Sequence, residues 1–205
     1  MVHSQDVFER ETYFGIKGGM NTAGIVSEPI IFLDIYPGFT GGILFKHISQ
    51  NSLGIQAELC YSQSGWSENL DSTSVYQRRL DYIQLPIMTH ISIGKKSTRI
   101  IVNLGPYISY LLSDSEKIEL LDGMEAKDYY GKKISNQVEF GMCFGVGVFQ
   151  KTPAGSFQIE GRITYGLSDK FNNSADLSLE SSQNILAELS LSYLIDYKKV
   201  RSLWE

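Results

Sequence analysis

The sequence predicts an all-β chain closed into an eight-stranded antiparallel up-and-down transmembrane β-barrel, and three observations predict it. Apolar and polar residues alternate with a period of two through most of the chain, whereas helical periodicity is faint everywhere except "SDSEKIELLDGM". Many of the alternating stretches reach or exceed the about 9 to 11 residues that cross a bilayer at a tilt, against about 5 to 6 for a globular strand. Short and long connections also alternate along the chain, as they do when tight turns lie on the periplasmic side of a barrel and long loops on the outer side.

The strands are expected near Tyr13 to Asn21, Phe39 to His47, Leu53 to Gln63, Arg79 to Ile93, Arg99 to Leu111, Val138 to Gln150, Phe157 to Leu167 and Ile185 to Tyr197. The short connections "ISQNS", "GKKST" and "KTPAGS" are polar and carry Gly, Pro or Asn, the chemistry of tight turns. The long ones are "TAGIVSEPIIFLDIYPG", "SGWSENLDSTSVYQR", "LSDSEKIELLDGMEAKDYYGKKISNQ" and "SDKFNNSADLSLESSQN". No linker or shift of composition divides residues 1–205, so a single domain is expected, with the barrel at about 12–197 and a short tail at 198–205. Pro86 and Pro106 fall inside two strands; each removes a ladder donor, so a local bulge is expected at both.

Which face looks outward decides the biology. In "SLGIQAELCYSQSGW", Leu53, Ile55, Ala57, Leu59 and Tyr61 oppose Gly54, Gln56, Glu58, Cys60 and Ser62. A soluble, lipocalin-like barrel binding a small apolar ligand would put the first set inside; a membrane barrel puts it outside. Glycines on the polar face, such as Gly141, Gly145 and Gly147, would weaken a solvated exterior for no return, but they make room in a narrow lumen. The lumen reading requires its charges to find partners. Glu58, Glu139, Glu160 and Glu188 are therefore expected to share the interior with Lys17, Lys46 and Arg162, as a paired-charge plug rather than an open pore. Tyr13, Tyr61, Tyr82, Tyr110, Tyr165, Tyr193 and Tyr197, near strand ends, suit a membrane interface.

Composition is compatible with this. Charged residues make up 20%, the net charge is −5, and no basic stripe suggests a nucleic-acid partner. Mean hydropathy is −0.11 and no apolar run approaches the roughly 20 residues of a membrane helix, neither of which bears on a barrel. The start, "MVHSQDVFERETYFG", lacks the basic and apolar regions of a secretory signal, so either the protein is cytoplasmic or this numbering begins after a removed signal. Cys60 and Cys143 fall on the polar faces of non-adjacent strands and are expected to be free thiols.

Five stretches in order, "YFGIKGGMN", "LDYIQLPIM", "VNLGPYISYLL", "EFGMCFGVGV" and "LAELSLSYLI", resemble the outer-membrane β-barrel domain family common in Bacteroidota, often termed porin-like or PorT-like. The resemblance runs from Tyr13 to Tyr197 and includes the prolines of "LP" and "GPY". It implies an outer-membrane barrel of about eight strands made with a cleaved signal peptide. Function in that family is mostly unassigned; some members resemble components of secretion and gliding machinery. The sequence departs from the usual barrel ending by continuing past Tyr197 as "KKVRSLWE".

Little points to catalysis. The histidines are His3, His47 and His90, and His90 on a polar face reads as a hydrogen-bonded structural residue. There is no G-x-S-x-G elbow and no H-x-x-x-H spacing, and "GFTGG" lacks a phosphate-loop lysine. No enzyme activity, cofactor or metal is expected. Glu116, Glu119, Asp122, Glu125 and Asp128 crowd the longest loop, while Lys95, Lys96, Lys151, Lys198 and Lys199 lie at the opposite end. The expected partners are outer-membrane lipid and lipopolysaccharide, with the long outer loops offered to an envelope protein.

Overall fold

The computed structural model describes residues 10–27, 34–50, 52–69, 75–94, 97–119, 136–168 and 182–198. Its strands are β1 (Glu11–Ser27), β2 (Asp34–Ile48), β3 (Leu53–Asn69), β4 (Val75–Gly94), β5 (Thr98–Glu119), β6 (Val138–Thr152), β7 (Gly155–Gly166) and β8 (Ser182–Asp196). Each pairs antiparallel with the next, and β8 returns to β1 to close the barrel.

The register fixes its shape. Starting at Thr12, cross-strand partners run through His47, Ile55, Thr89, Leu104, Phe144, Ile163 and Ala187 and arrive at Thr22, ten residues further along β1. With a rise of about 3.4 Å per residue and strands about 4.8 Å apart, that shear over eight strands tilts them by about 40° from the barrel axis.

The polarity is inverted relative to a soluble protein. Phe14, Ile16, Met20, Ile43, Leu59, Leu104, Phe144, Ile163, Leu189 and Leu191 point outward, between 45% and 72% exposed. Lys17, Lys46, Gln56, Glu58, His90, Asn103, Gln158, Glu160 and Arg162 point inward and none exceeds 6%. On β7 the outward apolar face runs from Phe157 to Tyr165. At this tilt it rises about 21 Å, close to the about 25 Å apolar band of an outer-membrane barrel. A soluble barrel with this face in water would expose its whole circumference of Leu, Ile, Val and Phe, far beyond the patches that soluble monomers tolerate.

Four expectations need correction. The strands run further toward the long-loop end than the alternation implied: β1 continues to Ser27, β2 starts at Asp34, and β4 and β5 pair as far as Val75 with Glu119. Part of the faintly helical "SDSEKIELLDGM" is therefore strand, because pairing with β4 holds its backbone extended. The prolines do not cause bulges: register is the same on both sides of Pro86 against β3 and β5, and of Pro106 against β6. Losing one donor is outweighed by the pairs flanking it. The register shifts lie instead between Ile35 and Thr40 on β2 and between Asp81 and Tyr82 on β4. Finally, Tyr13 and Tyr82 are buried in the interior, leaving Tyr61, Tyr110, Tyr165, Tyr193 and Tyr197 as the outward rings.

The short-turn end has its own chemistry. Between β6 and β7 only Pro153 and Ala154 intervene, and Gly155 adopts φ +152°, where any side chain would also collide with the Tyr193 ring. Just above this end Tyr13, Leu44, Ile48, Ile101, Phe149 and Leu194 form a buried apolar cluster. Tyr13 meets Phe149 edge to face at 5.4 Å. The lumen is thus polar in the middle but apolar at its base.

Candidate functional site: the charged lumen

The charged interior is built by alternation. Lys17 on β1, Glu58 on β3, Glu160 and Arg162 on β7 and Glu188 on β8 sit at inward positions, and the barrel's curvature makes them converge. Arg162 donates to both Glu58 oxygens at 2.8 and 2.6 Å and to Glu160 Oε1 from Nε at 3.0 Å and from Nη2 at 2.9 Å. Lys17 bridges Glu58 at 2.9 Å and Glu188 at 2.6 Å. Gln56 donates to Glu58 Oε1 at 2.6 Å. Glu160 also accepts from Gln158 at 2.7 Å and from Asn103 at 3.0 Å.

Depth along the axis follows from the register. Glu160 and Arg162 flank Gly161, which lies halfway between the Phe157 and Tyr165 ends of the apolar face on β7. The network therefore sits at the mid-depth of the apolar band. Ions there are tolerable only when paired and hydrogen-bonded throughout, because desolvation costs several kcal/mol per ion. Two cations, Lys17 and Arg162, pair with the three carboxylates Glu58, Glu160 and Glu188.

Lys46 stands one layer below. It donates to Gln158 and lies 4.7 Å over the Phe149 ring, so it caps the apolar base rather than pairing directly with a carboxylate. His90 Nδ1 and Asn103 Oδ1 are 2.7 Å apart, which ties that histidine to the same array. Glu139 is the exception among the charges expected to share one cluster. It sits on β6, three inward positions beyond Gly145 toward the long-loop end, and accepts from the Tyr107 hydroxyl at 2.6 Å. Strand shear separates residues that a face assignment alone groups together.

The glycines make the room. A Cβ on Gly145 would overlap Glu160 Oε1, and one on Gly141 would press on the Tyr107 ring. Gly145→Leu is expected to destabilise the barrel by about 1–3 kcal/mol through overpacking of a carboxylate that has nowhere to move. Urea unfolding in lipid vesicles measures it, with the lipid-facing Val146→Leu as the neutral control.

Two further ionic clusters lie outside the expected set. At the short-turn mouth Glu11 takes two bonds from Arg99, both 2.9 Å, and one from Lys151 at 2.6 Å, spanning from β1 to β5 and β6. At the other end Arg78 holds Asp114 through two bonds of 2.9 and 2.6 Å. The register shift on β4 leaves Leu112 without a cross-strand partner and brings Asp114 opposite buried Leu80, on the inward side where Arg78 waits. Cys60 and Cys143 are free and buried among these groups; Cys143 Sγ donates to the Gly105 carbonyl at 3.2 Å.

Above the network, Ser62, Tyr82, Tyr107, Ser109, Glu139 and Thr164 line a cavity of ≈ 10 Å³, room for about one water. Among the described residues no group of three or more His, Cys, Asp or Glu is placed to hold a metal ion. Asp122, Glu125, Asp128, Lys95, Lys96, Lys199 and most of the 198–205 tail lie outside the described residues.

Residues 4–172 match a family described as outer membrane protein beta-barrel domain. No curated protein matches the sequence. Among solved structures, the chain is similar to Ail, the attachment invasion locus protein of Yersinia pestis, in complex with the heparin analogue sucrose octasulfate. Identity is 13% and the TM-score 0.47, over 90% of this chain and 99% of Ail. It is similar to the outer membrane protein OprG of Pseudomonas aeruginosa at 11% identity and TM-score 0.49, over 91% of this chain and 97% of OprG. The outer membrane enzyme PagL gives 12% and 0.48, over 88% and 98%.

Proposed function

We propose, from the premise that the chain belongs to the outer membrane protein β-barrel domain family, that it is a non-enzymatic barrel with a plugged lumen, serving as an envelope scaffold or interaction component. The bacterial outer membrane is its location. The observation that carries the proposal is the ion-paired network around Arg162, seated at mid-depth over an apolar base. A conducting pore gains nothing from a dry layer of Tyr13, Ile48, Ile101, Phe149 and Leu194 across one end; a rigid, closed barrel does.

His90, held by Asn103 inside the lumen, supports the non-enzymatic reading. The five motif stretches from "YFGIKGGMN" to "LAELSLSYLI" support grouping the chain with the porin-like, PorT-like barrels of Bacteroidota, some of which resemble components of secretion machinery. The strand extensions beyond the apolar band, longest on β4 and β5, support an outer surface that meets lipopolysaccharide or an envelope protein.

Planar-bilayer recording tests the plug. The purified barrel is expected to give no steady current, and Arg162→Ala together with Phe149→Ala to give discrete openings. Steady large-pore current from the unaltered protein would sink the proposal.

A further inference from the structure

The outer wall carries one feature that closure of the lumen does not use. On the outward face of β1 to β4, Phe14, Ile43, Phe45, Ala57, Leu59 and Leu85 line an apolar groove of ≈ 390 Å³. Its gap exists because Ala57 stands in a row of larger outward residues: its partners across the neighbouring strands are Phe45 and Ile87. Phe14 and Phe45, with ring centroids 5.2 Å apart, wall its lower end. Its walls are apolar and it opens outward, which suits a hydrocarbon chain.

A polar pair lies directly below. Two residues further toward the short-turn end, on the same strands and the same face, Phe14 is followed by Thr12 and Phe45 by His47. Thr12 and His47 are cross-strand partners, both half-buried, and Thr12 Oγ1 is 2.9 Å from His47 Nδ1. With the hydroxyl donating to Nδ1, the ring proton sits on Nε2, free to donate to an anion. The pair lies at the short-turn edge of the apolar face, the depth of the headgroups, so the apolar groove and the polar pair follow each other in the order of chain and headgroup in a phospholipid.

We propose that this surface is a binding site for one glycerophospholipid of the periplasmic leaflet, with an acyl chain along the Ala57 groove and the phosphate on the Thr12–His47 pair. The groove is continuous with the lipid-facing band, so its default occupant is hydrocarbon. The short-turn end is the periplasmic end of such barrels, which selects the leaflet of phospholipid over that of lipopolysaccharide. The inference rests on the orientation of the barrel and is independent of whether the lumen conducts.

The test uses the full chain in phosphatidylcholine nanodiscs doped with a phosphatidylethanolamine whose acyl chain carries a photoreactive diazirine. Cross-links are expected to concentrate on peptides covering residues 43–59. Ala57→Phe, which fills the groove from the lipid side, is expected to lower that yield about tenfold. Native mass spectrometry of detergent-extracted protein is expected to show one retained phospholipid, lost in His47→Ala with heat-modifiable migration intact. Cross-links spread evenly over the eight strands, undiminished labelling in Ala57→Phe, or retention of lipopolysaccharide in place of phospholipid would each overturn the proposal.

Discussion

Replacing Arg162 by methionine is expected to lower the unfolding free energy in lipid vesicles by about 3–5 kcal/mol, the cost of breaking a buried ion pair by removing one partner. Arg162 is the hub: it neutralises Glu58 and Glu160 at once, with bonds of 2.6 to 3.0 Å to both. Without it Glu58 keeps Lys17 and Gln56, whereas Glu160 retains only the neutral donors Asn103 and Gln158 within hydrogen-bond reach. Glu160→Gln in the same chain is therefore expected to restore most of the loss, because it removes the stranded charge and keeps the acceptor for Asn103. Arg162→Met alone being neutral, or Glu160→Gln deepening the loss, would contradict the assignment of Arg162 as hub.

Arginine at Leu189 is expected to cost about 2–4 kcal/mol, while arginine at Tyr165 costs about 0–1 kcal/mol, because the penalty on the lipid face depends on depth. Leu189 is 64% exposed and pairs across to Gly161, the midpoint of the apolar face of β7, whereas Tyr165 marks the upper end of that face. The contrast is specific to lipid. On a water-exposed surface both substitutions would be within about 0.5 kcal/mol, and in an apolar core both would be severe. Urea titration of each variant in vesicles of one composition gives the comparison directly.

Much of this was legible because a barrel strand writes its two faces into alternate letters. The run from Leu53 to Ser62 identified which residues face lipid and which face the lumen, and the glycines opposite Glu160 and Tyr107 identified which side was crowded. Three things were hidden. Register is one: alternation says which face a residue occupies but not how far up the axis it sits, so Glu139 looked like a neighbour of Glu58 and is instead beside Tyr107. The apolar base is another, since inward Ile101, Phe149 and Leu194 adjoin outward apolar residues and blur the period locally. The third is the residue added on β5 at Leu112, which places Asp114 where Arg78 can reach it. The ion pair of Glu11 with Arg99 joins strands on opposite sides of the barrel, a proximity that only closure creates.

The central claim is that the face bearing Leu53, Ile55 and Leu59 meets lipid and the face bearing Glu58 meets the lumen. Refolding the chain from urea with and without detergent measures it most directly. The account predicts a monodisperse, β-rich species whose gel migration changes on boiling only when detergent or lipid is present, and aggregation without it. A monodisperse, folded protein in detergent-free buffer would contradict it.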